Sequence, residues 1–203
     1  MELYIDYYQS VLEADQPELL KEKGSKFYGY AIPVSNEQEV KSALERIKKE
    51  HYAARHWCYA YRLGSKGEVY RVNDDGEPNN SAGQPIYGQL LAFDLTNTLV
   101  IVVRYFGGVK LGVGGLISAY KTSSQLILHS SQIVKHPIYK EVEVSFDYGA
   151  MNSIMRMIKD YDLKILSQNM EARGKMNLGI SPSMYAEVLE KLSANHHLTI
   201  KPS

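Results

Sequence analysis

Residues 99–103, Leu-Val-Ile-Val-Val, are apolar without a break, and Arg104-Tyr105-Phe106-Gly107-Gly108-Val109-Lys110-Leu111-Gly112-Val113-Gly114-Gly115 follows them. A short uninterrupted apolar run reads as a buried strand. A helical pattern resumes near Gly115 and reaches about His129, so the glycine-rich stretch is a turn from strand to helix. Glycine there permits positive φ and close approach of the backbone to another group. A helix start also offers unpaired N–H groups and the positive end of the helix dipole, which suit an anion. Lys110 within the turn and Arg104 at its base add positive charge.

At 203 residues the chain has room for one large or two small domains. Helical patterning ends before Lys135-His136-Pro137, and proline does not continue a helix. The expected domains are therefore residues 1–136 and 137–203. In the second, residues 141–146 alternate polar and apolar as a half-buried strand does, and Met151, Ile154, Ile158 and Tyr161 recur at helical spacing. Residues 164–170 and 175–181 are strands with Arg173-Gly174 turning between them. Ser181-Pro182 opens a helix, serine as N-cap and proline at the first position, with Tyr185, Val188, Leu189 and Leu192 as its apolar stripe. Residues 198–201 close the series. The order β-α-β-β-α-β is the ferredoxin-like split βαβ arrangement, and the fold class expected for the chain is α+β.

The first segment is less regular. Val11-Leu12 and residues 26–34 are strand candidates. Ser35 starts a helix, with Gln38 completing a capping box and Val40, Ala43, Leu44 and Ile47 on the buried face. Residues 55–63 and 68–73 form a hairpin across Gly64-Ser65-Lys66-Gly67. A polar loop over 73–83 precedes a helix from about Pro85 to Phe93.

Acidic and basic residues balance at 23 each, which argues against a broad nonspecific grip on nucleic acid, although a local basic patch is compatible with it. Cys58 is the sole cysteine, so no intramolecular disulfide can form, as suits a reducing compartment. No apolar run reaches spanning length, and Met1-Glu2-Leu3-Tyr4-Ile5-Asp6 lacks the features of a secretory signal. The expected location is the cytoplasm, with no membrane partner.

The glycine-rich turn is not a P-loop, since no Gly-Lys-Ser/Thr stands at the required spacing, and no acidic ribose ligand follows it. Tight backbone packing alone is the competing explanation for its glycines. Asn73-Asp74-Asp75-Gly76-Glu77-Pro78-Asn79-Asn80 gathers three carboxylates. These suit a hard cation such as Mg²⁺, an ordinary exposed turn, or pairing with Arg104 or Lys110 that would hold the glycine loop in shape. Ser81-Ala82-Gly83-Gln84 reads as a capping box for the next helix. Arg55-His56-Trp57-Cys58 on a strand places His56 and Cys58 on one face, but no third group orients the histidine as Cys-His catalysis requires. On the other face Arg55, Trp57, Tyr59 and Tyr61 offer either a stacking surface for bases or ordinary core packing. His196-His197 is a solvated helix end.

Taken together, Arg55-His56-Trp57-Cys58-Tyr59-Ala60-Tyr61-Arg62, Asp74-Asp75-Gly76-Glu77-Pro78, Ser81-Ala82-Gly83-Gln84-Pro85-Ile86, the glycine-rich stretch from 104 to 115 and Ala119-Tyr120-Lys121 resemble the IMPACT/YigZ family in its bacterial two-domain form. The resemblance implies an N-terminal domain similar to the second domain of a ribosomal small-subunit protein. It also implies a C-terminal domain similar to the last domain of elongation factor G. It further implies a link to translation, with contacts to RNA or ribosomal components. The N-terminal fold is similar as well to that of small-molecule kinases that hold phosphate on a glycine-rich loop, an analogy of fold only.

The expected function is that of a non-enzymatic cytoplasmic binding protein acting near translation, with no cofactor and no catalytic residue. Arg104, Gly107, Gly108, Lys110, Gly112, Gly114 and Gly115 would meet RNA phosphates, supported by Arg55 and Lys121, while Asp74, Asp75 and Glu77 brace the loop. A protein partner is equally compatible with the C-terminal domain. The alternative is a metal-assisted enzyme acting on a phosphorylated small molecule, with the acidic loop holding Mg²⁺. The sequence sets no oligomeric state.

Overall fold

The computed structural model describes residues 5–12, 14 and 16–202. Its central strand is the apolar run itself: β6 (Thr98–Tyr105) pairs antiparallel with β3 (Ser25–Pro33) on one side and β4 (His56–Leu63) on the other. β2 (Glu18–Glu22) and β5 (Val69–Asn73) form the edges, giving a five-stranded sheet in the order β2-β3-β6-β4-β5. Successive side chains of a strand point to opposite faces, and both faces are covered here. Val100 and Val102 pack with Phe27, Ala31, Cys58 and Ala60 against α2 (Gly83–Ala92) and α3 (Gly112–Ser130). Leu99, Ile101 and Val103 pack with Ile32, Tyr61 and Leu63 against Val40, Ala43 and Ile47 of α1 (Glu37–Glu50). That double coverage is why the run has no polar face.

The chain divides into two compact units, residues 8–136 and residues 137–203, and residues 5–7 group with the second. β1 (Tyr7–Val11) and β7 (Ile133–Pro137) pair in a separate two-stranded ribbon. In the second unit the elements are β8 (Lys140–Phe146), α4 (Met151–Asp160), β9 (Lys164–Met170), β10 (Gly174–Ile180), α5 (Tyr185–Ser193) and β11 (Leu198–Pro202). Its antiparallel sheet runs β11-β8-β10-β9. Val142, Val144, Phe146, Met176, Leu178 and Ile180 face Ile154, Val188 and Leu192 of the two helices. The whole is a mixed α/β protein. Among the described residues no helix is long and apolar enough to cross a membrane.

Several local expectations are corrected. The N-cap of α1 is Asn36, one residue beyond Ser35: its Oδ1 accepts from the Glu39 amide at 2.9 Å. The reciprocal carboxylate is that of Glu39, which takes the Ser35 amide and hydroxyl, rather than Gln38. Ser181 makes no side-chain cap, and a single 3₁₀ turn, Pro182–Met184, intervenes before α5. α3 begins at Gly112, so the last glycines of the turn belong to its first helical turn.

Candidate functional site

The acidic loop is built almost entirely from inward-turned acceptors. Asp74 Oδ1 accepts the Ala82 and Gly83 amides at 2.9 and 2.8 Å, and Oδ2 accepts the Asn80 amide at 2.9 Å. The cap of α2 therefore comes from the preceding loop. Ser81, expected to cap it, donates instead to the Pro78 carbonyl at 2.6 Å. Asp75 Oδ2 accepts the Trp57 amide at 2.7 Å. The Asp75 carbonyl lies 2.8 Å from His56 Nδ1, and because a carbonyl only accepts, that nitrogen carries the proton. The loop turns sharply here, with Asp75 at φ +43° and Gly76 at +86°.

Glu77 is the centre of the construction. It is 8 % exposed, and its Oε1 receives Arg104 Nη1 at 2.6 Å and the Tyr120 hydroxyl at 2.8 Å, with His56 Nε2 at 3.9 Å. Arg104 is itself only 5 % exposed. Desolvating both ions is costly, so the pair depends on its short geometry and the added hydroxyl. Cys58 Sγ sits 3.0 Å from the Asp74 carbonyl and 3.3 Å from the Tyr120 hydroxyl. Burial pushes both the Cys58 thiol and the Tyr120 phenol well above their ordinary values. Cys58 is thus a neutral packed thiol, without the thiolate a nucleophile needs. Asp74 and Asp75 spend oxygens on backbone amides and Glu77 on Arg104. Among the described residues no three His, Cys, Asp or Glu side chains converge as metal ligands.

This braced arginine lies at the base of the glycine turn. Gly107 passes so close to the β2–β3 turn that a Cβ there would fall 1.9 Å from the Gly24 carbonyl carbon. Its amide donates to Ser25 Oγ at 3.2 Å, and that oxygen is 3.5 Å from Arg104 Nη2. Gly108 and Gly112 hold φ of +86° and +73°. Gly114 differs: its backbone is helical, and a Cβ there would meet nothing within 4 Å. Neither conformation nor packing requires glycine at that position. The N-cap of α3 is Leu111, whose own side chain makes no capping hydrogen bond.

Beside that turn is a cavity of about 350 Å³ lined by Glu77, Pro78, Arg104, Phe106, Lys110, Leu111, Gly112, Val113 and Leu116. Arg104 Nε has no hydrogen-bond partner among the described residues. The structure thus gathers Arg104, Lys110 and Gly112 with Glu77 around one concavity. Arg55 and Lys121 are exposed and do not line it. Arg55 precedes β4, and its amide donates to the Arg104 carbonyl at 3.1 Å. On the opposite face of the sheet, Tyr59 and Tyr61 pack against α1, Tyr61 donates to Glu37 at 2.7 Å, and Lys48 lies over Trp57. That face serves packing against α1, and Tyr59 and Tyr61 also line a concavity of about 370 Å³ there.

Tyr120, Ser25 and Phe106 were not among the expected site residues. Tyr120 lies one helical stretch beyond the glycines and Ser25 some eighty residues before them, so no local pattern joins either to Glu77 or Gly107.

A mixed α/β protein with a carboxylate-braced glycine turn is what the geometry defines, and relatives share its sequence. The family model described as the Impact N-terminal domain matches residues 23–128, a span that includes β4, the acidic loop, the glycine turn and nearly all of α3. The chain is 38% identical over 153 residues to the IMPACT family member YvyE of Bacillus subtilis (strain 168), covering 75% of this chain and 70% of that protein. An IMPACT family member of Haemophilus influenzae is 34% identical over 180 residues, covering 84% and 86%. The chain belongs to the IMPACT family. Its fold is similar to the crystal structure of a hypothetical protein, with a TM-score of 0.67 over 98% of each chain at 24% identity.

Proposed function

We propose that this chain is a non-enzymatic, cytoplasmic regulatory protein linked to translation, contacting RNA or a ribosome-associated partner through the glycine turn. The observation that carries the reading is Gly114. Glycine inside a helix costs about 1 kcal/mol relative to alanine, and no neighbour or backbone angle accounts for it here. A bare backbone at a helix start whose N-cap residue makes no side-chain capping bond, next to Lys110, suits a phosphate. The family's link to translation supplies the context.

At the level of folds, the strand order β11-β8-β10-β9 with helices between supports a ferredoxin-like second domain like the last domain of elongation factor G. We read the first as similar to the second domain of a ribosomal small-subunit protein, with domain limits near residue 136. The rival enzyme needs the acidic loop to hold Mg²⁺, whereas its carboxylates are engaged by amides and Arg104.

The test is titration of an unstructured RNA oligonucleotide across a range of salt, alongside capture from cell extract with and without nuclease. Affinity that falls with salt supports RNA contact. Nuclease-resistant capture of ribosome-associated protein supports the partner form. Absence of both ends the reading.

A further inference from the structure

Phosphate alone does not account for the cavity. Besides Glu77, Arg104 and Lys110 its lining is largely apolar: Pro78, Leu111 and Leu116, with Phe106 and Val113 left 48% and 53% exposed. An aromatic ring left half in water at the rim of a pocket is an available stacking surface. The guanidinium of Arg104 lies with its Cζ 5.6 Å from the centre of the Phe106 ring. Arg104 is fixed by Glu77 at Nη1, and its Nε is buried without a partner in a side chain lining the same cavity. The opposing charges of Glu77 and Arg104 cancel, so Lys110 and the start of α3 leave the mouth positive. At about 350 Å³ the cavity is at the small end of sites that take small molecules.

From this combination we infer that the glycine turn binds single-stranded RNA, one nucleotide at a time: the phosphate rests on the first-turn amides of α3 and Lys110, and the adjoining base stacks on Phe106. This rests on the RNA reading above and narrows it. A duplex keeps its bases stacked inside and presents only backbone and groove edges, whereas a single strand can deliver an unstacked base to an aromatic ring. Phe106 is the aromatic ring among the lining residues, and 48% of it is exposed.

The experiment compares a labelled single-stranded oligouridylate with an RNA duplex of equal length by fluorescence anisotropy, using the full chain and its Phe106→Ala, Phe106→Tyr and Lys110→Ala variants at several salt concentrations. The single strand is expected to bind at least tenfold more tightly than the duplex. Phe106→Ala should weaken single-strand binding about tenfold without changing the salt slope, and Phe106→Tyr should restore it, as stacking energies per base imply. Lys110→Ala should make the slope shallower by about one phosphate. Equal affinity for the two RNAs, or indifference to Phe106→Ala in a variant whose circular dichroism is unchanged, overturns this inference and leaves RNA contact standing. No binding of either RNA overturns the RNA reading as well.

Discussion

At the scale of single residues, Glu77 carries more than its size suggests, because two buried donors, Arg104 and Tyr120, converge on one of its oxygens. Glu77→Ala strands a buried guanidinium, and the expected loss is about 3–5 kcal/mol in a urea titration. Removing both ends together, Glu77→Ala with Arg104→Met, should cost less than the sum of the single changes. The glycines separate by mechanism. Gly107→Ala forces a side chain against the Gly24 backbone and should destabilise strongly. Gly114→Ala enters open space and should stabilise by up to about 1 kcal/mol, yet weaken binding of RNA if the bare backbone is where the phosphate rests. A variant that is both more stable and fully competent in binding would remove the reason for that glycine. The richness in glycine was plain in the sequence. Which glycine answers which demand was not, since the demand on Gly107 comes from Gly24, far away along the chain.

At the scale of elements, helix ends show why sequence registers slip. Ser35 and Asn36 are both good N-caps, and Gln38 and Glu39 are both able to close the box; the charged carboxylate wins by reaching the Ser35 amide and hydroxyl as well as the Asn36 side chain. Asp74 illustrates the opposite case, a cap delivered from outside the local motif, and Asp74→Ala should cost about 1–2 kcal/mol by thermal or urea unfolding. Strands β2 and β7 have no signal in the sequence, since short runs such as Glu-Leu-Leu-Lys-Glu carry no strand signature; pairing with a neighbour, not propensity, makes them strands. At the other end of α1, His51 lies between the hydroxyls of Tyr30 at 2.5 Å and Tyr105 at 2.9 Å. Burial lowers its pKa, outweighing the nearby Glu50. A histidine that resists protonation when folded stabilises the fold in its neutral form, above about pH 6.5. That contribution is lost as pH falls through the unfolded value toward the folded one. Between pH 7.5 and 5 the wild type should therefore lose more stability than His51→Gln; equal losses would show that His51 does not contribute.

At the scale of the whole molecule, a balanced formal charge sets how the proposed RNA contact would look. Nonspecific binders neutralise many phosphates and show steep salt dependence, whereas a chain with balanced charge and a small basic concavity at the glycine turn would neutralise only a few. A plot of log affinity against log salt is expected to have a slope no steeper than about −2, from two or three phosphates on a single strand. A slope several times steeper would place the contact on a much larger surface. The succession of strands and helices along the second unit was legible because its patterns are local. The candidate site was legible only in halves, one acidic and one glycine-rich, because strand pairing and Tyr120 bring them together through the tertiary fold.

The close passage of Gly24 against Gly107 has a practical use. With no side chain between two stretches of main chain, the turn at Lys23 and Gly24 rests directly against the start of the glycine segment. A small fluorophore or spin label carried at exposed position 23 is therefore a place to test for occupancy of the proposed site without altering the residues that line it.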